Sequence, residues 1–121
     1  MAKILIIEDN SHNIEITRRY LEKAGYEVFA LQDGNKAMAT IEKTGCDLVI
    51  LDIMMPARNG YEVLEEIRAT YSQKELPVIM LSALDTPFDP VASKRLGATD
   101  FIEKPVDSTK LVYKVQIALV K

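Results

Sequence analysis

The segment at residues 48–52 constrains the fold most strongly, because it delivers one acidic residue at the end of an apolar run. Residues 48–51 are all apolar and rich in β-branching, a pattern that predicts a strand buried on both faces of a parallel sheet. Asp52 follows at the carboxyl end of this strand, before a turn marked by Pro56 and Gly60. Because ligands of open α/β sheets bind at that edge, the position favours a functional carboxylate. The alternative is an aspartate that only caps the loop.

Other apolar segments have the length and composition of strands, and apolar residues at helical spacing lie between them. The expected strands are 3–7, 26–31, 48–51, 78–81 and 99–102. Capping and stop signals delimit the expected helices, with N-caps at Asn10 or Ser11, at Asp89, and at Asp107 or Ser108, and with stops at Gly25, Gly45 and Gly97. The fourth helix, with Pro90 in its first turn, is expected to be short.

Strictly alternating strands and helices predict one α/β domain with a doubly wound, five-stranded parallel sheet and five helices. The flavodoxin-like strand order 2-1-3-4-5 suits this pattern. In that order the first and third strands are neighbours, which brings Glu8 and Asp9 beside Asp52. The fourth and fifth strands add Ser82 and Lys104 at the same edge.

The acids at this edge predict a metal site and a phosphoryl site. Neighbouring carboxylates repel one another, and a divalent cation or a fixed ammonium group relieves the repulsion. Carboxylate and carbonyl oxygens are the ligands that Mg²⁺ prefers, so Mg²⁺ is expected beside Glu8, Asp9 and Asp52. Asp52 then has the surroundings of a nucleophile toward a phosphoryl donor, with Mg²⁺ and Lys104 neutralising the transferring group and Ser82 donating a hydrogen bond to it. The product would be an aspartyl phosphate.

The charge balance and the cysteine count exclude several classes of protein. With 15 basic and 18 acidic residues the net charge is -3, and no basic block is present, so we expect no direct contact with nucleic acid. Cys46 is the single cysteine and cannot form an internal disulfide. No apolar run approaches the roughly 20 residues of a membrane span, and no signal-peptide layout is present. We therefore expect a cytoplasmic protein that does not bind membranes.

The chain resembles a receiver domain of a two-component response regulator, and the resemblance covers essentially all of residues 1–121. The matching residues follow in the family's order: the acidic pair Glu8 and Asp9, the phosphoacceptor Asp52 in LDIMMP, the following glycine Gly60, the hydroxyl and small residue Ser82-Ala83, and the pair Lys104-Pro105. Each match alone is weak, but together, in order and with this strand placement, they are highly specific. Ser82 stands where many relatives carry threonine, and without the β-methyl group its hydroxyl rotates more freely.

The resemblance implies a phosphorylation-dependent signalling switch, and not an enzyme that acts on other substrates. A histidine kinase or a histidine phosphotransfer protein would donate the phosphoryl group, and a downstream protein target would read the changed conformation. The resemblance also implies a metal contact from the backbone carbonyl of Met54. On phosphorylation Ser82 is expected to move toward the phosphoryl group and Phe101 to take the vacated space, which changes the face of the fourth helix, fifth strand and fifth helix. Many relatives have tyrosine in place of Phe101.

Two apolar stripes lie on the last helix, a core stripe at Leu111, Val115, Ala118 and Leu119 and a nearly opposite stripe at Tyr113, Ile117 and Val120. Because receivers commonly use this helix for dimers or targets, we predict that the second stripe is a partner surface, for a homodimer or a target protein. The alternative is a frayed C-terminal turn with scattered apolar residues.

The residues that flank the expected phosphoryl site predict a long-lived phosphorylated form. Met54 lies two residues after Asp52, and Leu84 lies two residues after Ser82. A polar side chain at such a position can orient the attacking water, whereas both residues here are apolar. The alternative is that both only pack over the pocket while hydrolysis is set elsewhere.

Rival functions use related features of the sequence. A phosphohydrolase of the haloacid-dehalogenase type needs a second aspartate two residues after the nucleophile, where this chain has Met54. A flavin-binding protein of this fold needs small and hydroxyl residues after the first strand, where Glu8 and Asp9 would repel a phosphate. Two alternatives stay open: a receiver fragment of a larger response regulator or hybrid kinase, and a non-phosphorylated pseudo-receiver that only binds partners.

Overall fold

The structure, a computed structural model, describes residues 1–56, 58–83 and 90–120. Within these ranges strands and helices alternate along the chain. The strands are β1 (Lys3–Ile7), β2 (Glu27–Leu31), β3 (Leu48–Asp52), β4 (Val78–Ser82) and β5 (Asp100–Glu103). The helices are α1 (Ser11–Lys23), α2 (Ala37–Thr44), α3 (Gly60–Thr70), α4 (Pro90–Arg95) and α5 (Ser108–Leu119). In the described ranges no helix has the length and apolar composition needed to cross a membrane.

The strands form one parallel sheet in the order β2-β1-β3-β4-β5. Ile7 of β1 pairs in register with Leu51 of β3, and Asp52 of β3 pairs with Leu81 of β4. Four of the described helices have 8 to 13 residues, whereas α4 has only 6. The predicted doubly wound α/β fold with strand order 2-1-3-4-5 is confirmed, and the carboxyl ends of all its strands lie at one edge.

Two hydrophobic layers enclose the sheet, because successive residues of a strand point to opposite faces. Along β1, Leu5 and Ile7 belong to the layer that includes residues of α2 and α3. Ile4 and Ile6 belong to the layer that includes residues of α1 and α5. Every residue of β3 and β4 is buried, which is the burial expected of central parallel strands covered on both faces.

The fifth strand begins one residue later than the sequence predicts. The N–H of Thr99 donates to the carbonyl of Val78 (2.8 Å), and the Thr99 hydroxyl accepts from the N–H of Val78 (3.0 Å). Because the Thr99 side chain takes one of these bonds, the regular ladder starts at Asp100 and continues to Glu103. The predicted range of 99–102 is therefore shifted by one residue.

Helix ends agree with the capping signals of the sequence. Asn10 caps α1 and Asp107 caps α5, and in both cases the side chain accepts from the N–H three residues later. Gly45 ends α2 with a φ of 64°, a left-handed conformation that glycine adopts without strain. The predicted cap Asp89 lies outside the described residues. β2 starts at Glu27, one residue later than predicted.

Candidate functional site

Acidic side chains meet at the carboxyl ends of β1 and β3. Glu8 follows β1 directly, Asp9 is the next residue, and Asp52 is the last residue of β3. One carboxylate oxygen from each of these residues lies within 4.8 Å of the others. Glu8 and Asp52 are only 1% and 3% exposed, whereas Asp9 is exposed. The structure therefore brings the predicted acids together.

Lys104 reaches this acidic cluster from the turn after β5. Its Nζ lies 2.9 Å from Oε1 of Glu8 and 3.1 Å from Oδ2 of Asp52. Its backbone N–H donates to the carbonyl of Ser82 (2.7 Å), which ties the turn to the end of β4. The peptide bond between Lys104 and Pro105 is cis. One ammonium group therefore bridges carboxylates that come from two neighbouring strands.

Burial and repulsion together set the protonation of the cluster. Burial raises the pKa of Glu8 above its usual value and the adjacent Asp52 raises it further, whereas Lys104 opposes both. Burial alone lowers the pKa of Lys104, but its contacts with Glu8 and Asp52 outweigh that effect and the net pKa is raised. The lysine therefore stays charged at neutral pH, and one ammonium faces more than one carboxylate.

The donor set of the cluster fits a divalent cation. Both carboxylate oxygens of Glu8 are buried and have no hydrogen-bond partner among the described residues, although Lys104 Nζ is at ion-pair distance from one of them. A buried carboxylate without hydrogen bonds is costly unless a cation satisfies it. Oxygens from Glu8, Asp9 and Asp52 are hard ligands of the kind that Mg²⁺ prefers.

Met54 lies beside the cluster, two residues after Asp52. Its backbone N–H donates to Oδ1 of Asp52 at 3.4 Å, a long and weak hydrogen bond. Its side chain points away from the core, since the residue is 55% exposed. The metal contact expected from its backbone carbonyl stays a prediction. Leu84, the other apolar residue expected to flank the phosphoryl site, lies outside the described residues.

The residues expected to take part in switching lie on β4 and β5. Ser82 ends β4, is buried, and pairs in register with Glu103. Phe101 is half-buried on β5, with the Nζ of Lys114 5.2 Å from the centre of its ring. The same Nζ donates to the Phe101 carbonyl (2.7 Å). Lys114 therefore connects α5 to the strand that carries the predicted switch residue.

A close backbone approach at Gly60 positions α3 against the end of β3. The N–H of Gly60 donates to the carbonyl of Ile53 (2.7 Å). A Cβ atom at residue 60 would lie 2.9 Å from the Cα of Ile53 and would also overlap the carbonyl oxygen of Asp52. The sequence identifies this glycine by family resemblance but not by this contact, because the contact joins a strand to a helix across a loop.

A capping box at the start of α3 is a feature that the sequence-based predictions missed. The Asn59 side chain accepts from the N–H of Glu62 (3.0 Å), and the Glu62 carboxylate accepts from the N–H of Asn59 (3.4 Å). An asparagine followed three residues later by glutamate is the signal that identifies such a box. The box fixes the start of α3, where the loop that begins after Asp52 ends.

The predicted partner surface on α5 is exposed. Tyr113, Ile117 and Val120 are 61%, 53% and 78% exposed. Leu111 and Val115, on the opposite stripe, are fully buried. The exposure agrees with two separate apolar stripes on this helix, while contact of the second stripe with a partner stays a prediction.

The comparisons with known proteins agree on one family. The family model of the response regulator receiver domain matches residues 4–116. The chemotaxis protein CheY4 from Vibrio cholerae is 32% identical, with a TM-score of 0.89 and coverage of 98% of this chain and 99% of that chain. The BeF3-activated N-terminal receiver domain of RstA from Klebsiella pneumoniae is 28% identical, with a TM-score of 0.88 and coverage of 98% and 99%.

A longer protein contains a similar domain as one part. NtrX from Brucella abortus is 32% identical over 98% of this chain, with a TM-score of 0.87, but the match covers only 26% of the NtrX chain. Similar domains thus occur both alone and within larger proteins. Because the family model covers nearly all of the sequence and the strand order agrees with the prediction, this chain belongs to the response regulator receiver domain family.

Proposed function

We propose that this receiver domain is a signalling switch that accepts a phosphoryl group on Asp52 from a histidine kinase or a histidine phosphotransfer protein. The observation that carries the proposal is the pairing of Asp52 with Lys104 Nζ, 3.1 Å apart, within the acidic cluster of Glu8 and Asp9. A structural aspartate at a strand end needs neither a half-buried lysine in ion-pair contact nor two further acids. The arrangement instead suits a carboxylate that receives a negatively charged group.

In the proposed transfer, an oxygen of Asp52 attacks the phosphorus of a phosphohistidine, the P–N bond breaks, and the imidazole leaves with a proton from solvent. Lys104 neutralises charge on the transferred group, and the Ser82 hydroxyl donates a hydrogen bond to it. Mg²⁺, held by Glu8, Asp9 and Asp52 with the Met54 carbonyl, would supply further charge neutralisation at the phosphoryl oxygens. The chain would catalyse this transfer and its own dephosphorylation but act on no other substrate.

The readout in this proposal is the face formed by α4, β5 and α5. Lys104 belongs to the turn after β5 and contacts Asp52, so a phosphoryl group there competes for the ammonium and biases the end of β5. Phe101 on the same strand is in contact with Lys114 of α5, which extends the path to the exposed helix. A downstream protein that prefers one of the two states would shift the equilibrium between them.

Different observations bear on the two alternatives to this proposal. A receiver that is part of a larger response regulator or hybrid kinase would use the same site, and the NtrX match supports such an arrangement for similar domains. A pseudo-receiver would bind partners without phosphorylation. The intact Asp52–Lys104 pair and the adjacent acids favour the phosphorylated form over the pseudo-receiver.

Phosphorylation with small donors tests the proposal. The protein is incubated with Mg²⁺ and acetyl phosphate or phosphoramidate, and intact mass spectrometry counts the added phosphoryl groups. We expect one group on the wild type and none on Asp52→Asn, which keeps the shape of the side chain. Labelling of the Asp52→Asn protein at the wild-type level, or no adduct with any donor, would refute the assignment.

A substitution at Asp9 tests the proposed Mg²⁺ site. Asp9→Asn removes one charged ligand from the exposed side of the cluster, so we expect the Mg²⁺ concentration needed for half-maximal labelling to rise by roughly 10-fold or more. Asp33→Asn is the matched control, because Asp33 is exposed and is not one of the clustered acids. Equal Mg²⁺ dependence of Asp9→Asn and Asp33→Asn would exclude Asp9 as a ligand.

A further inference from the structure

Met54 combines side-chain exposure with closeness to the phosphoacceptor. It is 55% exposed, whereas Met55 and Met80 are 8% and 0% exposed and Met38 is only partly exposed. Met1, at the chain start, is the other strongly exposed methionine, at 90%. Among the methionines within the folded part of the chain, Met54 is therefore the most accessible to a solute.

The backbone of Met54 lies at the edge of the acidic cluster. The N atom of Met54 lies 3.4 Å from Oδ1 of Asp52, so its Cα is no more than about 5 Å from that oxygen. The loop is held at both ends, because Gly60 N–H bonds to the Ile53 carbonyl and the Asn59 cap fixes the start of α3. The Met54 side chain therefore leaves the backbone beside Asp52, with the neighbouring Met55 turned into the core.

We infer that Met54 is a site of reversible oxidation by hydrogen peroxide, and that its oxidation shortens the lifetime of a phosphoryl group on Asp52. The second half of the inference rests on the proposed function, whereas the first does not. In the oxidation, the thioether sulfur takes one oxygen atom from peroxide, the O–O bond breaks, and the products are the sulfoxide and water. Peroxide is the two-electron oxidant, and the sulfur is oxidised.

The shorter lifetime of the phosphoryl group follows from the higher polarity of the oxidised Met54 side chain. Methionine sulfoxide is polar, and its oxygen accepts hydrogen bonds, whereas the thioether is apolar. Hydrolysis of an aspartyl phosphate needs a water aligned with the breaking bond, and an acceptor beside the group holds that water in place. Met54 offers no such acceptor until it is oxidised. Peroxide would thereby reset a receiver that otherwise keeps its phosphoryl group for a long time.

The first experiment locates the oxidation in the unphosphorylated wild-type protein. The chain is titrated with hydrogen peroxide, the reaction is stopped with catalase, and peptide mass spectrometry follows sulfoxide at each methionine. We expect Met54 to be oxidised well before Met38, Met55 and Met80, at a rate close to that of Met1. Oxidation of Met54 no faster than that of the buried Met55 would overturn the inference.

The second experiment measures the lifetime. Oxidised and untreated protein are phosphorylated with acetyl phosphate and Mg²⁺, the donor is removed, and intact mass follows loss of the phosphoryl group. We expect a half-life roughly 10-fold shorter after oxidation, which corresponds to about 1.4 kcal/mol of activation free energy. Reduction of the oxidised protein before phosphorylation, by the two methionine sulfoxide reductases that each act on one sulfoxide epimer and with a dithiol as the reductant, should restore the original half-life.

Met54→Leu is the matched control, because it keeps an apolar side chain but has no sulfur. Its half-life should be the same with and without peroxide treatment, although Met1 in this variant still oxidises. If peroxide shortens the half-life of Met54→Leu equally, the effect arises elsewhere and the coupling is refuted. An unchanged half-life of oxidised wild type also refutes the coupling. A protein that takes up no phosphoryl group contradicts the proposed function and the coupling with it, while the mapped sulfoxide still decides the modification site.

Discussion

The ammonium nitrogen of Lys104 lies 2.9 Å from Oε1 of Glu8, a carboxylate that is only 1% exposed. The turn after β5 is thereby joined to the end of β1, with β3 and Asp52 between them. The pKa of Lys104 is raised above 10.5 because its carboxylate contacts outweigh the effect of burial. The stability contributed by this lysine is therefore present throughout the neutral range and is lost only as the pH rises through its raised pKa.

Glu8→Gln is expected to raise the stability of the metal-free protein at neutral pH. Burial raises the pKa of Glu8 above its ordinary value of 4.5, so just above pH 4.5 the folded state holds more protons than the unfolded state. The free energy of unfolding therefore falls as the pH rises through that window, and the loss is complete above the raised pKa. Glutamine does not titrate, so the advantage of the variant should grow from pH 4.5 upward and then level off.

Urea titrations in EDTA, from about pH 4.5 to about pH 8, measure this difference. Glu15→Gln is the control, because the Glu15 side chain is 57% exposed. A stability difference between Glu8→Gln and wild type that does not change with pH would contradict the expected titration of Glu8.

Gly60→Ala is expected to destabilise the fold by roughly 1–3 kcal/mol and to slow phosphorylation of Asp52. The new Cβ would meet backbone atoms of Asp52 and Ile53, which cannot move as a flexible side chain can. Alanine is otherwise the better helix former, so propensity alone predicts the opposite sign. Denaturant unfolding measures the stability, and the rate of labelling by acetyl phosphate measures the effect on the site.

Gly25→Ala is the control for this glycine variant. Gly25 has a φ of 97°, so alanine is strained there, but no atom lies within 4 Å of the added methyl group. The control should therefore lose stability through its backbone alone and still be phosphorylated at the wild-type rate. Normal labelling of a stable Gly60→Ala protein would disprove the positioning role of Gly60.

A phosphoryl mimic tests the switch of Ser82 and Phe101. With Mg²⁺ and beryllofluoride, we expect amide NMR signals to shift across residues 82–105, and also in α5 near Lys114, which contacts Phe101. Phe101 lacks the hydroxyl of tyrosine, so the two states should be less sharply separated than in Phe101→Tyr. Shifts limited to the residues around Asp52 would argue against coupling to β5 and α5.

Ile117→Glu tests the exposed stripe on α5. Ile117 is 53% exposed, so the change should alter the free energy of unfolding by no more than about 0.5 kcal/mol. Self-association, measured by analytical ultracentrifugation, or binding of a target protein should weaken, because a charge enters the apolar surface. Gln73→Glu, at an exposed position between α3 and β4, introduces the same charge away from α5. Equal association of the two variants and wild type would remove the idea of a partner surface.

Met54 and Leu84, the apolar residues expected to flank the phosphoryl site, are expected to slow loss of the phosphoryl group. Met54→Asn supplies a polar group that can orient water, and we expect the phosphoryl half-life under saturating Mg²⁺ to fall by ~10-fold, or about 1.4 kcal/mol. Adding Leu84→Glu should shorten it further. The half-life is followed by intact mass after donor removal. If the double variant loses its phosphoryl group no faster than wild type, these residues do not control hydrolysis.

The sequence by itself predicts the strand order, the helix caps at Asn10 and Asp107, and the meeting of Glu8 with Asp52. These features depend on local patterns: apolar periodicity defines the elements, and short polar side chains cap helices through contacts only a few residues apart. Once the strand order is known, the residues that end each strand must share one edge. The candidate site therefore follows from residue types and their positions along the chain.

Tertiary structure alone decides those contacts between distant segments that do not follow from the strand order. Arg68 of α3 donates to the carbonyls of Gly97 and Leu76 (2.7 Å each), joining the turns before β5 and β4, and no spacing in the sequence announces this clamp. The sequence pattern also does not reveal the burial of Glu8, its contact with Lys104 or the shifted start of β5. Packing sets each of them, because distances between segments depend on how all the side chains in the two core layers fit together.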